Sequence, residues 1–141
     1  MRRCNHEVGL LVLDLDHFKE LNDTESHSAG DRALQIAAKA IVGAVRETDI
    51  AGRIGGDEFA VLLPNTNSVA AVADKVLKAI RHSLKDKFNL SVSIGFVLNE
   101  IEEEVDTSLN ELINLADKSM YIAKSEGGNR ISGSYPSGKN S

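Results

Sequence analysis

The chain has 141 residues, 42% of them apolar and 26% charged, with a formal net charge of −5. That suffices for one domain around one core, and the acidic balance argues against a general nucleic-acid binder, which carries a basic stripe, while leaving room for a phosphate ligand held by a few local donors. A single cysteine, Cys4, rules out a disulfide framework or thiolate metal site within one chain, and the lack of a signal peptide or of an apolar run near the ~20 residues of a membrane helix points to a cytoplasmic domain, alone or within a longer membrane-tethered protein.

Residues 7–16, EVGLLVLDLD, form a near-continuous apolar run ending in acids, the pattern of a strand buried on both faces. After Asp14 the chain turns into a short helical segment, DLDHFKELND. The first N–H groups of such a segment, at His17, Phe18 and Lys19, have no intrahelical acceptor and form a natural phosphate cradle. The Lys19 side chain reads equally well as solvent-facing, Phe18 reads better as core, and His17 and His27 as structural or exposed.

Residues 30–46 place Leu34, Ala37, Ile41, Ala44 and Val45 at helical spacing. DIAGRI and EFAVLLP are two short strands flanking Gly55-Gly56, and Pro64 ends the second. A second helix covers 68–85 through Val69, Val72, Val76, Ile80 and Leu84. NLSVSIGFVL alternates as a strand, NEIEEEVD reads as a solvated acidic loop, and a third helix runs from about Ser108 to Glu126 until Gly127-Gly128 stops it. Arg130-Ile131 is a candidate last strand, and 132–141 reads as a flexible tail. The order β-α-β-β-α-β, then α and β, is the split βαβ pattern of the α+β class: an antiparallel sheet with helices on one face in its first six elements.

In that fold the first strand neighbours the central hairpin, which brings Asp14 towards Asp57 and Glu58. Carboxylates converging from separate elements repel unless something positive lies between them. Hard oxygen donors without histidine or cysteine favour Mg²⁺ or Mn²⁺ over zinc. Gly55 and Gly56 remove side chains where a phosphate approaches the backbone, although turn-forming Gly and Asp also suit a plain hairpin. Asn22 and Asp31 have donors and acceptors that match a guanine edge, and Asp31 reads equally as an acid in the first turn of a helix. Lys124 is either a phosphate contact or an ordinary helical lysine.

DLDHFKELND, HSAGDRAL, RIGGDEFAVLLP, SVSIG and ADKSMYIAKSEGGNR occur in this order. Together they resemble the GGDEF domain of diguanylate cyclases over residues 7–131, a palm-type nucleotidyl cyclase fold. The resemblance implies condensation of two GTP into cyclic di-GMP with release of pyrophosphate, between two such domains facing each other in a homodimer, without nucleic acid or membrane contact by the domain. It implies Asp14, Asp57 and the Leu15 carbonyl as Mg²⁺ or Mn²⁺ ligands, and Asn22 and Asp31 as guanine contacts. The His17–Lys19 backbone and Lys124 would hold phosphates, and Glu58 would assist the metal, the ribose or deprotonation. Arg46-Glu47-Thr48-Asp49 matches the family's R-x-x-D product-inhibition motif, with Arg46 and Asp49 as its contacts.

Three departures stand out. The helix that usually precedes the first strand is missing, with residues 1–6 as its remnant, which implies reduced stability or cover from another chain. Ser26 replaces a glycine, and a left-handed backbone there would cost roughly 1 kcal/mol. Gly128 replaces an arginine expected on phosphate, leaving Arg130 as a candidate substitute. The enzyme reading therefore stands beside a second one: an impaired GGDEF domain that binds GTP or cyclic di-GMP without turnover.

Overall fold

The computed structural model describes residues 6–66, 68–101 and 108–134. Its elements are β1 (His6–Asp16), α1 (Phe18–Thr24), α2 (His27–Ala44), β2 (Ile50–Gly55), β3 (Glu58–Leu63), α3 (Val69–Leu84), β4 (Ser91–Ile101), α4 (Leu109–Ser125) and β5 (Ile131–Ser134). They build one five-stranded sheet in the order β2-β3-β1-β4-β5. The β2–β3, β3–β1 and β1–β4 pairings are antiparallel, as expected. The last strand joins β4 in parallel, so the complete sheet is mixed. That strand takes in Ile131–Ser134, so residues 132–134 of the expected tail are strand, and 135–141 lie outside the described residues. The N-terminal remnant, but for the backbone of His6, lies outside the described residues, as do 102–106 of the acidic loop, whose first residues, 99–101, belong to β4.

Central β1 explains its own sequence. Leu11, Leu13 and Leu15 point into a core shared with α2 and α3. Leu10 and Val12 point the other way, against Leu112, Ala116 and Met120 of α4. Full burial contributes roughly 1.5–3 kcal/mol per leucine-sized side chain, so one strand anchors both layers. The expectation of helices on one face thus holds for α2 and α3, while α4 covers the opposite face.

Docking of α4 depends on Gly95. A Cβ there would collide with the Ala116 carbonyl and the Met120 backbone, so the helix lies directly on the β4 backbone. A capping box fixes the start of α4: Ser108 Oγ accepts from the Glu111 N–H at 3.2 Å, and the Ser108 N–H donates to Glu111 Oε1 at 3.0 Å. Its end turns through Gly127 (φ 121°) and Gly128 (φ 74°), where the Gly128 N–H donates to the Ala123 carbonyl. Helix α2 starts at His27, earlier than apolar spacing suggests, because Ser26 Oγ accepts from the Ala29 N–H at 3.1 Å. Ser26 has φ 178°, ordinary extended backbone, so the left-handed strain weighed for this position is not present.

Candidate active site

Alternation along β1 sends Leu13 and Leu15 to the α2/α3 side, and therefore Asp14 and Asp16 to the α4 side. Asp14 pairs in register with Glu58, and Asp57 lies one residue before it in the hairpin turn. From above, Lys124 Nζ comes within 3.8 Å of Asp14 Oδ1 and 3.1 Å of Asp16 Oδ1. Asp57 shares a hydrogen bond with the Asp14 carboxyl. The first-strand acid and the acid after the paired glycines thus occupy one place on one face.

Burial first, then that hydrogen bond and repulsion from Asp57 and Glu58, push the Asp14 carboxyl up to about 7, and Lys124 offsets only part of this. Asp14 Oδ1 is buried and has no hydrogen-bond partner. Glu58 is also pushed up to about 7, by burial, by a hydrogen bond shared with Asp117 of α4, and by repulsion from Asp117 and Asp57. Five acids, Asp14, Asp16, Asp57, Glu58 and Asp117, and one lysine, Lys124, therefore meet at the end of the sheet. Among the described residues, no three His, Cys, Asp or Glu side chains gather closely enough to hold a metal. The donor set that fits a hard cation is two carboxylates, Asp14 and Asp57, plus a backbone oxygen. Mg²⁺ tolerates so few protein ligands because it takes the rest from phosphates and water. Leu15 can offer only its carbonyl, since its side chain is buried in the core.

Gly55 and Gly56 are not demanded by the fold. Neither has the positive φ of a type I′ or II′ hairpin. A Cβ at Gly56 would meet nothing within 4 Å, and one at Gly55 would only touch the Glu58 side chain at 3.7 Å. The glycines instead keep an exposed turn bare, and Arg53 Nε pins it by donating to the Gly56 carbonyl at 2.7 Å.

The second wall comes from α1 and α2. His17 precedes α1 in a left-handed conformation, φ 65°, with its ring exposed, while Phe18 packs against the core and Lys19 is exposed. Asn22 is half-buried, and its Oδ1 is buried without a partner. A Cβ at Gly30 would collide with that oxygen, so Gly30 makes room for Asn22. Asp31 follows at once and is exposed. It lines a cavity of about 450 Å³ with Leu34, Ala38, Arg53 and Phe59. Asn22 is not part of that lining, so the structure places the two polar groups close along the chain without joining them in one cavity.

Arg46 and Asp49 form a closed clamp. The Arg46 N–H donates to Asp49 Oδ2 at 2.8 Å and Nη2 to Asp49 Oδ1 at 2.8 Å, while Nη2 also reaches the Pro64 carbonyl at 2.8 Å. Burial raises the Asp49 carboxyl, but these hydrogen bonds outweigh it and hold the group below its ordinary range. The Asp49 side chain is 1% exposed, against 51% for Arg46. Of the two side chains, Arg46 is therefore the one open to solvent.

Two residues at this end were not assigned from the sequence. Asp16 accepts from Ser91 Oγ at 2.6 Å, Ser93 Oγ at 2.7 Å, the Asn129 N–H at 2.9 Å and Lys124 Nζ at 3.1 Å. Burial raises it, and these donors lower it further, so its net position is below the ordinary range. Asp117 stands seven residues before Lys124, on the same helix face. The available signals were the Asp-x-Asp spacing in β1 and the Ser-x-Ser spacing in β4. Arg130 folds back instead of reaching towards the acids: its Nε donates to the Gly128 carbonyl at 3.1 Å, and its Nη1 lies 3.9 Å from Glu126.

The family described as "Diguanylate cyclase, GGDEF domain" matches residues 1–130. The chain belongs to the GGDEF domain family of diguanylate cyclases. Diguanylate cyclase A of Treponema denticola is 38% identical over 132 residues, covering 88% of this chain and 34% of that protein. Diguanylate cyclase DgcS of Shewanella oneidensis is 37% identical, covering 91% and 43%. The chain thus spans less than half the length of these relatives. Among solved structures, the GGDEF domain of DgcB from Caulobacter crescentus, in complex with c-di-GMP, superposes with a TM-score of 0.77 at 29% identity, covering 91% of this chain and 78% of that one. Diguanylate cyclase SiaD of Pseudomonas aeruginosa, in complex with its activator SiaC, gives 0.74 at 32% identity, covering 91% and 50%. No helix among the described residues is long and apolar enough to cross a membrane.

Proposed function

We propose that this domain condenses two GTP molecules into cyclic di-GMP and pyrophosphate, with one GTP held per domain and two domains facing each other in a homodimer. One observation carries the reading: the buried Asp14 oxygen accepts no hydrogen bond, with Lys124 no nearer than 3.8 Å, although a second acid, Asp57, has been brought against it. Such a pair is destabilising on its own and becomes favourable around a divalent cation. This agrees with the metal dependence implied by family membership.

Asp14, Asp57 and the Leu15 carbonyl would hold Mg²⁺ or Mn²⁺. The ion, when bound, supplies charge neutralisation at the phosphates and eases ionisation of the attacking 3′-hydroxyl. The chain's own residues position the reactants. The bare Gly55-Gly56 turn lets the triphosphate approach the backbone, and the N–H groups of His17, Phe18 and Lys19, with Lys124, hold its oxygens. Asn22 and Asp31 read the guanine edge. The 3′-oxygen of each GTP attacks the α-phosphorus of the other, the bond to the bridging oxygen breaks each time, and two pyrophosphates leave. Glu58, its carboxyl pushed up to about 7 by burial and Asp117, is suited in its ionised form to accept the hydroxyl proton. Arg46 on the outer face is the contact for product inhibition. The working location is the cytoplasm, within a longer protein of the kind its relatives represent.

The test is to incubate the chain with GTP and Mg²⁺ or Mn²⁺ and separate the nucleotides. Cyclic di-GMP is the expected product. None at high protein concentration would sink the enzyme reading for this chain and leave the alternative, a module that binds GTP or cyclic di-GMP without turnover. That alternative is favoured by glycine at position 128, which offers no side chain to phosphate.

A further inference from the structure

Asp16 is 6% exposed, and the mechanism above does not use it. Its donors arrive from separate elements: two serine hydroxyls from β4, the lysine of α4, and the Asn129 N–H from the turn after α4. Gly128 lies directly over the carboxylate, where a Cβ would stand 2.9 Å from Oδ2. The far side of the same turn is tied down by Arg81 of α3, whose Nε donates to Asn129 Oδ1 at 3.0 Å.

A carboxylate with this many donors is a rigid object. Its two serines and one backbone N–H already orient it, so Lys124 is the partner that gains from the contact. Lysine has more side-chain freedom to lose than almost any other residue, and holding it in place beforehand removes that loss from the binding step. The ammonium has three donors. One goes to Asp16, leaving two others, with the buried Asp14 Oδ1 3.8 Å away.

We propose that Asp16 is the positioning residue of the triphosphate end, joining the Lys124 ammonium and the 127–129 turn into one wall against which the phosphates are placed. The inference rests on the reading of Lys124 as a phosphate contact. The opposite effect is also physically available: a carboxylate beside Lys124 cancels charge, and its removal would then tighten phosphate binding. The two effects have opposite signs.

The experiment is calorimetric titration of the full chain, with Mg²⁺ present, using the non-reacting α,β-methylene analogue of GTP and, separately, GMP. Asp16→Asn is expected to weaken the analogue about tenfold while changing GMP by less than about twofold. In a Lys124→Ala background, Asp16→Asn is expected to add little, because the two act as a unit. An unchanged or tighter analogue, an equal loss for GMP, or full additivity with Lys124→Ala would each overturn the proposal. If Lys124→Ala alone leaves the analogue's affinity intact, the phosphate role of Lys124 fails and the proposal falls with it. If Lys124→Ala weakens binding and Asp16→Asn does not, only the proposal falls. Should Asp16→Asn fail to fold, the Ser91→Ala and Ser93→Ala double variant, which loosens Asp16 without removing its charge, is held to the same outcomes.

Discussion

Two acid–base pairs in this domain are built in opposite ways. The Arg46–Asp49 clamp has its acid saturated by short hydrogen bonds from Arg46, and the carboxyl is held low. The Lys124–Asp14 pair stands at 3.8 Å, too long for a hydrogen bond to the buried acid oxygen, and the carboxyl is pushed up to about 7. Burial raises both acids, so burial does not separate them. What separates them is their neighbours: Asp49 is met by the donors of Arg46, whereas Asp14 is met by further acids that Lys124 offsets only in part. The clamp is complete within the chain. The acid end leaves a buried acid oxygen without a hydrogen bond, and this is what supports the proposal that a cation and the chemistry belong there.

The sharpest way to test that contrast is Asp57→Ala. Turnover should fall by at least about 10³-fold if Asp57 holds the ion. The metal-free melting temperature should stay level or rise, because a repelling acid has gone, and a marked drop would show that the acids stabilise the fold. Gly95→Ala should come next. It forces α4 off β4 and should destabilise by about 1–3 kcal/mol in a denaturant melt, carrying Lys124 with it while the Arg46–Asp49 clamp stays closed.

A pH series separates the two pairs by sign. Asp14 has a folded pKa near 7 against an ordinary 3.8, so between those values the folded chain binds more protons than the unfolded one. Its contribution to stability therefore falls as pH rises through that window, and Glu58 acts in the same direction. Asp49 is lowered, so its contribution is present above the ordinary carboxylate pKa and is lost as pH falls through its folded value. Metal-free melts from pH 5 to pH 8 should show declining stability, and saturating Mg²⁺ should flatten the decline. A flat metal-free profile would contradict the raised carboxyls. The smallest effect is expected from Arg46→Ala, which should weaken inhibition by cyclic di-GMP about tenfold and leave the uninhibited rate unchanged. Unaltered product affinity would remove Arg46 from the inhibitory site.

Much of the architecture was legible because it is written in periodicity. The apolar run of β1 announced a strand buried on both faces, and the glycines after α4 announced its stop. The place of α4 on the opposite face was not legible, since it follows from a backbone contact at Gly95 that no pattern of apolar residues encodes. Asp14 and Asp57 could be paired from the expected neighbours of β1. Asp16 could not, because its partners lie 75 to 113 residues away in sequence. Ser26 illustrates the same limit locally: read as a replaced glycine it suggested strain, whereas in the fold its hydroxyl caps α2.

Gly128 arches over a filled anionic socket with its backbone in a left-handed bend. Reintroducing the absent arginine there by one codon change would thus set its first carbon against Asp16 before the guanidinium reached any phosphate. Any side chain placed at this bend would need the carboxylate beneath it to shift as well.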